Sequence, residues 1–113
     1  MTKEEFRKEA EAAFSGLPEE FRKTISNLEI VLDDSTAKKG EALLLGLYSG
    51  VPVSERDIYY AGALPDKITL FRKNIERACK NDKEVKREIQ KTLIHEIAHH
   101  FGMDERTVRK AGF

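Results

Sequence analysis

The longest amphipathic pattern in the chain predicts a helix from Asp82 to Phe101. Apolar residues recur in it every four positions, which places them on one face of an α-helix. They are Val85, Ile89, Leu93 and Ile97. Asp82 is a suitable N-cap, and Gly102 suits the C-terminal end of the helix. The chain has 113 residues, 40% of them hydrophobic, so we expect one domain over residues 1–113 with a single modest core.

The remaining patterns predict a mixed set of short elements. They are a helix over residues 2–15 capped by Thr2, a helix that begins at Pro18, strands Leu28–Asp33, Leu43–Tyr48 and Lys67–Arg72, a helical turn Asn74–Cys79 and a last helix Asp104–Lys110. Polar residues 33–40 predict a loop, and Gly62 and Pro65 favour irregular structure between residues 53 and 66. The order of helices, a small sheet and further helices indicates an α+β fold.

Composition argues against several classes of protein. Twenty basic and twenty acidic side chains cancel, so bulk attraction to nucleic acid or to an anionic membrane is not expected. The longest apolar run, residues 42–47, is far too short to span a bilayer. Cys79 is the only cysteine, which excludes an intramolecular disulfide and is typical of core packing. Residues 1–7 lack the apolar stretch of a secretory signal. We therefore expect a soluble cytoplasmic protein, by default a monomer.

A His-Glu-x-x-His pattern at residues 95–99 offers the chemistry of a metal site. His95 and His99 are four positions apart on the predicted helix, so both imidazoles project from one face and can bind one cation. Glu96 lies on the same side, where its carboxylate can take a proton from water without binding the metal. Two helix histidines can instead be satisfied core residues, but an unpaired half-buried carboxylate at Glu96 would be costly. The pattern therefore predicts a zinc site with Glu96 as a catalytic base.

The residues after this pattern offer a third ligand. Gly102 lets the backbone turn sharply, and an acidic pair, Asp104 and Glu105, follows. Glu105 is the tenth residue after His95, where the extended form of the motif has its third ligand, so it is the first choice and Asp104 the second. Asp104 is also a suitable N-cap for the last helix. His100 points more than a quarter turn away from the paired histidines, so we expect it in packing or behind the ligands.

The sequence His-Glu-Ile-Ala-His-His-Phe-Gly at residues 95–102, followed by acidic residues, resembles the short bacterial proteins called minimal zincins, a zincin-like metallopeptidase family. Residues 44–52 and 64–72 resemble other recurrent segments of that family, so the resemblance covers nearly the whole chain. It implies an α+β fold in which a small mixed sheet packs on a long active-site helix, with N-terminal helices. The residue roles that it implies are zinc ligands for His95, His99 and Glu105 and the catalytic base for Glu96.

The resemblance also directs attention to a substrate site. In zincins the substrate backbone lies along an edge strand beside the active-site helix. Lys67–Arg72 is the candidate for this edge strand, because it is the strand nearest to that helix in sequence. Tyr48, Tyr59 and Tyr60 are candidates to donate a hydrogen bond to the oxyanion. We predict a zinc-dependent metallopeptidase that hydrolyses an unidentified peptide or protein. The alternatives are a non-catalytic zincin-fold module that binds metal or a protein partner, and a metal-free structural protein of the same shape.

Overall fold

A computed structural model describes residues 1–19, 22, 28–50 and 66–112. Its elements are α1 (Lys3–Ser15), β1 (Leu28–Asp33), β2 (Lys38–Lys39), β3 (Ala42–Leu43), β4 (Gly46–Ser49), β5 (Asp66–Phe71), α2 (Arg72–Ala78), α3 (Asp82–His100) and α4 (Glu105–Lys110). The predicted α+β fold is confirmed. Most of the helix predicted from Pro18 lies outside the described residues, as do residues 53–65.

Helix α3 forms where the apolar row predicted it, with one correction at its start. The side chain of Asn81 accepts a hydrogen bond from the N–H of Glu84 at 2.9 Å, so Asn81, and not Asp82, is the N-cap. Asp82 instead lies in the first turn, where its negative charge faces the positive end of the helix dipole. Two neighbouring residues that are both good caps cannot be told apart from sequence.

The main sheet has three strands in the order β1-β5-β4, with β1 parallel and β4 antiparallel to β5. The prediction that Lys67–Arg72 is an edge strand is therefore wrong. Most of this segment forms β5, the central strand, and Arg72 begins α2. Both faces of β5 are largely covered, and Ile68 and Leu70 are fully buried. Among the described residues β4 is the edge strand on the side of α3.

A small hairpin of β2 and β3 precedes β4. It divides the predicted strand Leu43–Tyr48 in two and places one short strand, β2, within the predicted loop 33–40. Asn74, which is fully buried, explains the break: its side-chain amide donates to the carbonyls of Ala37 and Leu44, at 3.0 and 2.8 Å. The carbonyl of Leu44 therefore accepts from Asn74 between β3 and β4.

The core joins α1, β5 and α2 to the buried face of α3. Its fully or almost fully buried members are Phe6, Ala10, Ile68, Leu70, Ile75, Val85, Ile89, Leu93 and Ile97. The four-residue row predicted on α3 is thus the row that enters the core. Within residues 1–19, 28–50 and 66–112, no helix is long and apolar enough to cross a membrane.

Candidate metal centre

The last two turns of α3 present His95 and His99 side by side. Their ring centroids are 5.0 Å apart at an interplanar angle of 65°, as expected for residues four apart on a helix. Both rings are partly exposed, so a solute can reach them. The Nε2 atoms of both rings face one oxygen, Oε2 of Glu105, at 3.0 Å from His95 and 2.8 Å from His99.

The chain returns to the histidines through a tight turn after α3. Gly102 has φ of 92°, a left-handed conformation that glycine adopts without steric cost. The N–H of Gly102 donates to the carbonyl of His99 at 2.9 Å, and the N–H of Met103 donates to the carbonyl of Ala98 at 3.0 Å. These two bonds form a Schellman motif, which satisfies the last carbonyls of the helix and reverses the backbone direction.

The next helix decides which acidic residue faces the histidines. Asp104 is the N-cap of α4, and its carboxylate accepts a hydrogen bond from the N–H of Thr107 at 2.8 Å. That hydrogen bond lowers the pKa of Asp104 below its usual value. Glu105, the first residue of α4, points back to the rings of His95 and His99. The structure therefore brings Glu105 to the paired histidines, while Asp104 serves as the cap.

Charge around Glu105 favours its ionised form. Partial burial raises the pKa of this carboxyl, but hydrogen bonds with His95, His99 and Arg109 outweigh it, so the pKa lies below the usual value. The Nε–H of Arg109 donates to Oε1 at 3.1 Å. Since Arg109 occupies Oε1, the second oxygen of Glu105 is the one directed at the rings.

The hydrogen-bond roles around His99 show that this donor set suits a cation. A carbonyl oxygen only accepts, so Nδ1 of His99, 2.9 Å from the carbonyl of Met103, carries a proton and Nε2 is the nitrogen left to bind a metal. Nε2 of His99 and Nε2 of His95 both face one carboxylate oxygen of Glu105. A proton can bridge only one such pair, whereas a divalent cation interacts with all three atoms.

The distances from the Glu105 oxygen to the two ring nitrogens are also close to those in a zinc site. Ligand atoms in a tetrahedral zinc site, with bonds of about 2.0–2.2 Å, lie about 3.3 Å apart. The carboxylate oxygen of Glu105 is 3.0 Å from Nε2 of His95 and 2.8 Å from Nε2 of His99, within a few tenths of an ångström of that separation. Two imidazoles and one carboxylate, with a further position open, are a donor set that zinc accepts.

Glu96 lies beside this cluster and is held by the sheet. Only 8% of the residue is exposed, and its Oε1 accepts a hydrogen bond from the N–H of Tyr48 on β4 at 3.0 Å. Its Oε2 is 3.8 Å from Nε2 of His95, and ligand atoms of His95, Glu96 and His99 lie within 4.8 Å of one another. Burial raises the pKa of Glu96, and the two histidines and the Tyr48 N–H only partly oppose this effect.

A glycine allows β4 to approach α3 this closely. A Cβ atom at Gly46 would lie 2.6 Å from Cγ2 of Thr92 and 3.2 Å from Cγ of Glu96. These separations are shorter than ordinary carbon–carbon contacts. Gly46 is thus part of the reason why the Tyr48 N–H can reach the carboxylate.

A groove of about 700 Å³ runs over the cluster. Its wall on the sheet side is mainly apolar and comes from β3, β4 and the link between them, with Leu43, Leu44 and Leu47. The helical side carries the paired histidines, Glu96, Glu105 and Arg109. The site is therefore accessible along an open channel and not enclosed in the core.

Behind the cluster is a buried polar group that the sequence did not reveal. Asp66, in the segment predicted to be irregular, begins β5 and is 2% exposed. The hydroxyl of Tyr48 donates to its Oδ2 at 2.7 Å, and Nδ1 of His100 is 2.9 Å from the same oxygen. His100, expected in packing, is fully buried. Tyr48, considered as an oxyanion donor, directs its hydroxyl to Asp66; Tyr59 and Tyr60 lie outside the described residues.

Comparison with known proteins identifies the family. No curated protein matches the chain. The model of a family described as zincin-like metallopeptidase matches residues 25–112, which include the sheet, the two histidines, Glu96 and Glu105. The chain therefore belongs to the zincin-like metallopeptidase family, as the resemblance implied.

Proposed function

We propose that this protein is a zinc-dependent peptidase in which His95, His99 and Glu105 hold the metal and Glu96 is the general base. The observation that carries the proposal is the approach of two imidazole nitrogens to one carboxylate oxygen, at 3.0 and 2.8 Å, next to a second, buried carboxylate. Glu105 is preferred to Asp104 as the third ligand because the Asp104 carboxylate caps α4.

Zinc bound by these residues would supply a Lewis acid that polarises the scissile carbonyl and lowers the pKa of water to about 7. The remaining chemistry falls to Glu96. Its Oε1 is held by the Tyr48 N–H, which leaves Oε2, on the side of His95, to take a proton from the attacking water. The same oxygen can then deliver that proton to the leaving nitrogen, as a general base that becomes a general acid.

The groove suits an extended peptide. Strand β4 lines it and is the edge strand among the described residues, so a substrate backbone is proposed to lie along β4 and not along the central β5. Leu43, Leu44 and Leu47 would contact side chains near the scissile bond, and Leu47 is 44% exposed. We therefore expect cleavage beside apolar residues in preference to charged ones.

The test is a digest of a peptide library by zinc-loaded protein, with cleavage sites read by mass spectrometry. Glu96→Gln keeps the shape of the side chain and an acceptor for the Tyr48 N–H but removes the base. It should lose cleavage by about 10²–10⁴-fold, the usual contribution of a general base, while zinc content stays at the wild-type level. Glu11→Gln, which neutralises an exposed carboxylate on α1, is the control and should cleave normally.

Two results would overturn this proposal. Cleavage that persists undiminished in the Glu96→Gln variant would assign the activity to a contaminant or to another mechanism. Zinc binding by wild-type protein that cleaves no peptide of the library would favour the non-catalytic metal-binding module.

A further inference from the structure

We infer that Asp66 is a positioning residue for Glu96: by binding Tyr48 and His100 together, it fixes strand β4 on helix α3 so that the Tyr48 N–H holds the Glu96 carboxylate. The expected effect of Asp66 on catalysis rests on the proposed peptidase function, whereas its role in fixing β4 on α3 does not. The family match assigns no role to Asp66.

The first step of the argument is a closed circuit of contacts. Glu96 and His100 are four residues apart on α3 and therefore lie on neighbouring turns of one face. Tyr48 binds at both places: its N–H donates to Glu96 at 3.0 Å, and its ring packs edge-on against His100 at 5.7 Å. Asp66 closes the circuit with contacts of 2.7 Å to the Tyr48 hydroxyl and 2.9 Å to His100.

The second step concerns the position of Tyr48 relative to the sheet. In the ladder between β4 and β5, Tyr48 is opposite Ile68 and Ser49 is opposite Lys67. This ladder holds β4 on the β5 side only. Towards α3, the strand is held by the hydrogen bond from the Tyr48 N–H to Glu96 and by the packing of the Tyr48 ring on His100. Asp66, at the start of β5, binds both the Tyr48 hydroxyl and His100 and so fixes that packing. Loss of the Asp66 contact therefore releases the face of β4 on which the Glu96 hydrogen bond depends.

The third step is the burial of these groups. Asp66 is 2% exposed and His100 is fully buried, and a buried carboxylate is costly unless it is well paired. The backbone at Gly50 also packs directly on Asp66, since a Cβ atom there would lie 2.5 Å from the carboxyl group. Tyr48 of β4 and Gly50 just after it thus both contact this carboxylate, which makes Asp66 a fixed point from which Tyr48 is held.

The metal ligands are held by different contacts. The Schellman turn and the Asp104 cap set Glu105, and the carbonyl of Met103 sets His99. A variant of Asp66 should therefore leave zinc affinity within about twofold of wild type. It should reduce kcat by about 10–100-fold, the usual effect of losing a partner that orients a site residue, with little change in KM.

The experiment measures hydrogen exchange of the residue 48 amide by NMR in wild type, Tyr48→Phe and Asp66→Asn. Tyr48→Phe removes only the hydroxyl and keeps the N–H that Glu96 accepts. Both variants should exchange the amide of residue 48 at least about tenfold faster, while the amide of Leu70 in the central strand keeps its wild-type rate. Glu11→Gln, which neutralises an exposed carboxylate on α1, should leave both amides unchanged.

Each outcome decides the inference. Wild-type exchange at residue 48 in Tyr48→Phe overturns it, whether or not Asp66→Asn folds. Equal acceleration at Leu70 shows general loss of stability and also overturns it. If wild-type protein cleaves no peptide, the proposed function fails, yet selective acceleration at residue 48 still supports the positioning role. If the protein is active, a drop in kcat in Tyr48→Phe without loss of zinc supports the catalytic consequence, and an unchanged kcat contradicts it.

Discussion

Replacement of Gly46 by alanine should push strand β4 away from helix α3. The added Cβ would lie 2.6 Å from Cγ2 of Thr92, whereas packed carbons are separated by about 3.5–4.0 Å, so a gap of about 1 Å has to open. Overpacking of this kind costs about 1–3 kcal/mol of unfolding free energy. In a domain of this size that corresponds to a decrease in Tm of roughly 4–12 °C. The same movement lengthens the hydrogen bond between Tyr48 and Glu96.

Thermal denaturation followed by circular dichroism measures the loss of stability. The kcat on a cleaved peptide measures the effect of the longer hydrogen bond between Tyr48 and Glu96. Thr92→Ser removes the methyl group that the new Cβ would meet, so it should restore part of the lost stability when combined with Gly46→Ala. Gly16→Ala is the control, because Gly16 has an ordinary φ of −80° and alanine there should change stability by less than about 1 kcal/mol. A Gly46→Ala protein with wild-type Tm and kcat would refute the close-approach argument.

Three further outcomes are expected. Asp34→Asn should lower stability at neutral pH, because the hydrogen bond from Arg72 holds the pKa of Asp34 below its usual value. Because folding lowers that pKa, the stabilisation by Asp34 is present at pH values above the pKa of the unfolded state and is lost as the pH falls through the pKa of the folded state. A Tm difference from wild type that persists below about pH 2 would contradict this. Burial, with smaller effects of nearby carboxylates, raises the pKa of the Cys79 thiol, so iodoacetamide should label it more slowly than it labels free cysteine at neutral pH; equal rates would refute it. Zinc at about 100 times its Kd should stabilise the chelator-treated protein by about 2.7 kcal/mol, and no rise in Tm would count against a bound metal.

Local signals explain why much of the helical half of the fold was predictable. The apolar row of α3 follows the helical period and needs no information from outside the segment. Gly102 is a helix stop for a local steric reason, and the spacing of His95 and His99 already places them on one face. These features depend on residues a few positions apart, which is the range that sequence patterns describe best.

The sheet and the contacts behind the site depend on pairs that are distant in sequence. Tyr48 and Glu96 are 48 residues apart, and Asp66 and His100 are 34 apart. No local pattern indicates such a pairing, and the alternation of β5 does not say whether a strand lies at the edge or in the centre of a sheet. The edge-strand prediction failed for this reason, and Asp66 was not recognised.

The two candidates for the third ligand show how a cap can orient the side chain that follows it. Asp104 and Glu105 are adjacent acidic residues, and spacing alone left both open. Because the Asp104 carboxylate bonds to the N–H of Thr107, α4 begins at Glu105 and turns that side chain towards the histidines. Asparagine is as good an N-cap as aspartate, so the two residues can be separated experimentally without loss of the helix.

Zinc affinity of a matched pair of variants, measured by competition with a chromophoric chelator, tests the metal centre most directly. Wild-type protein should bind one equivalent. Asp104→Asn, which keeps the cap, should bind zinc as tightly as wild type, whereas Glu105→Gln should bind at least about tenfold more weakly because a neutral amide replaces the carboxylate ligand. Failure of the wild type to bind one equivalent, or an equal loss of affinity in both variants, would contradict a site built from His95, His99 and Glu105.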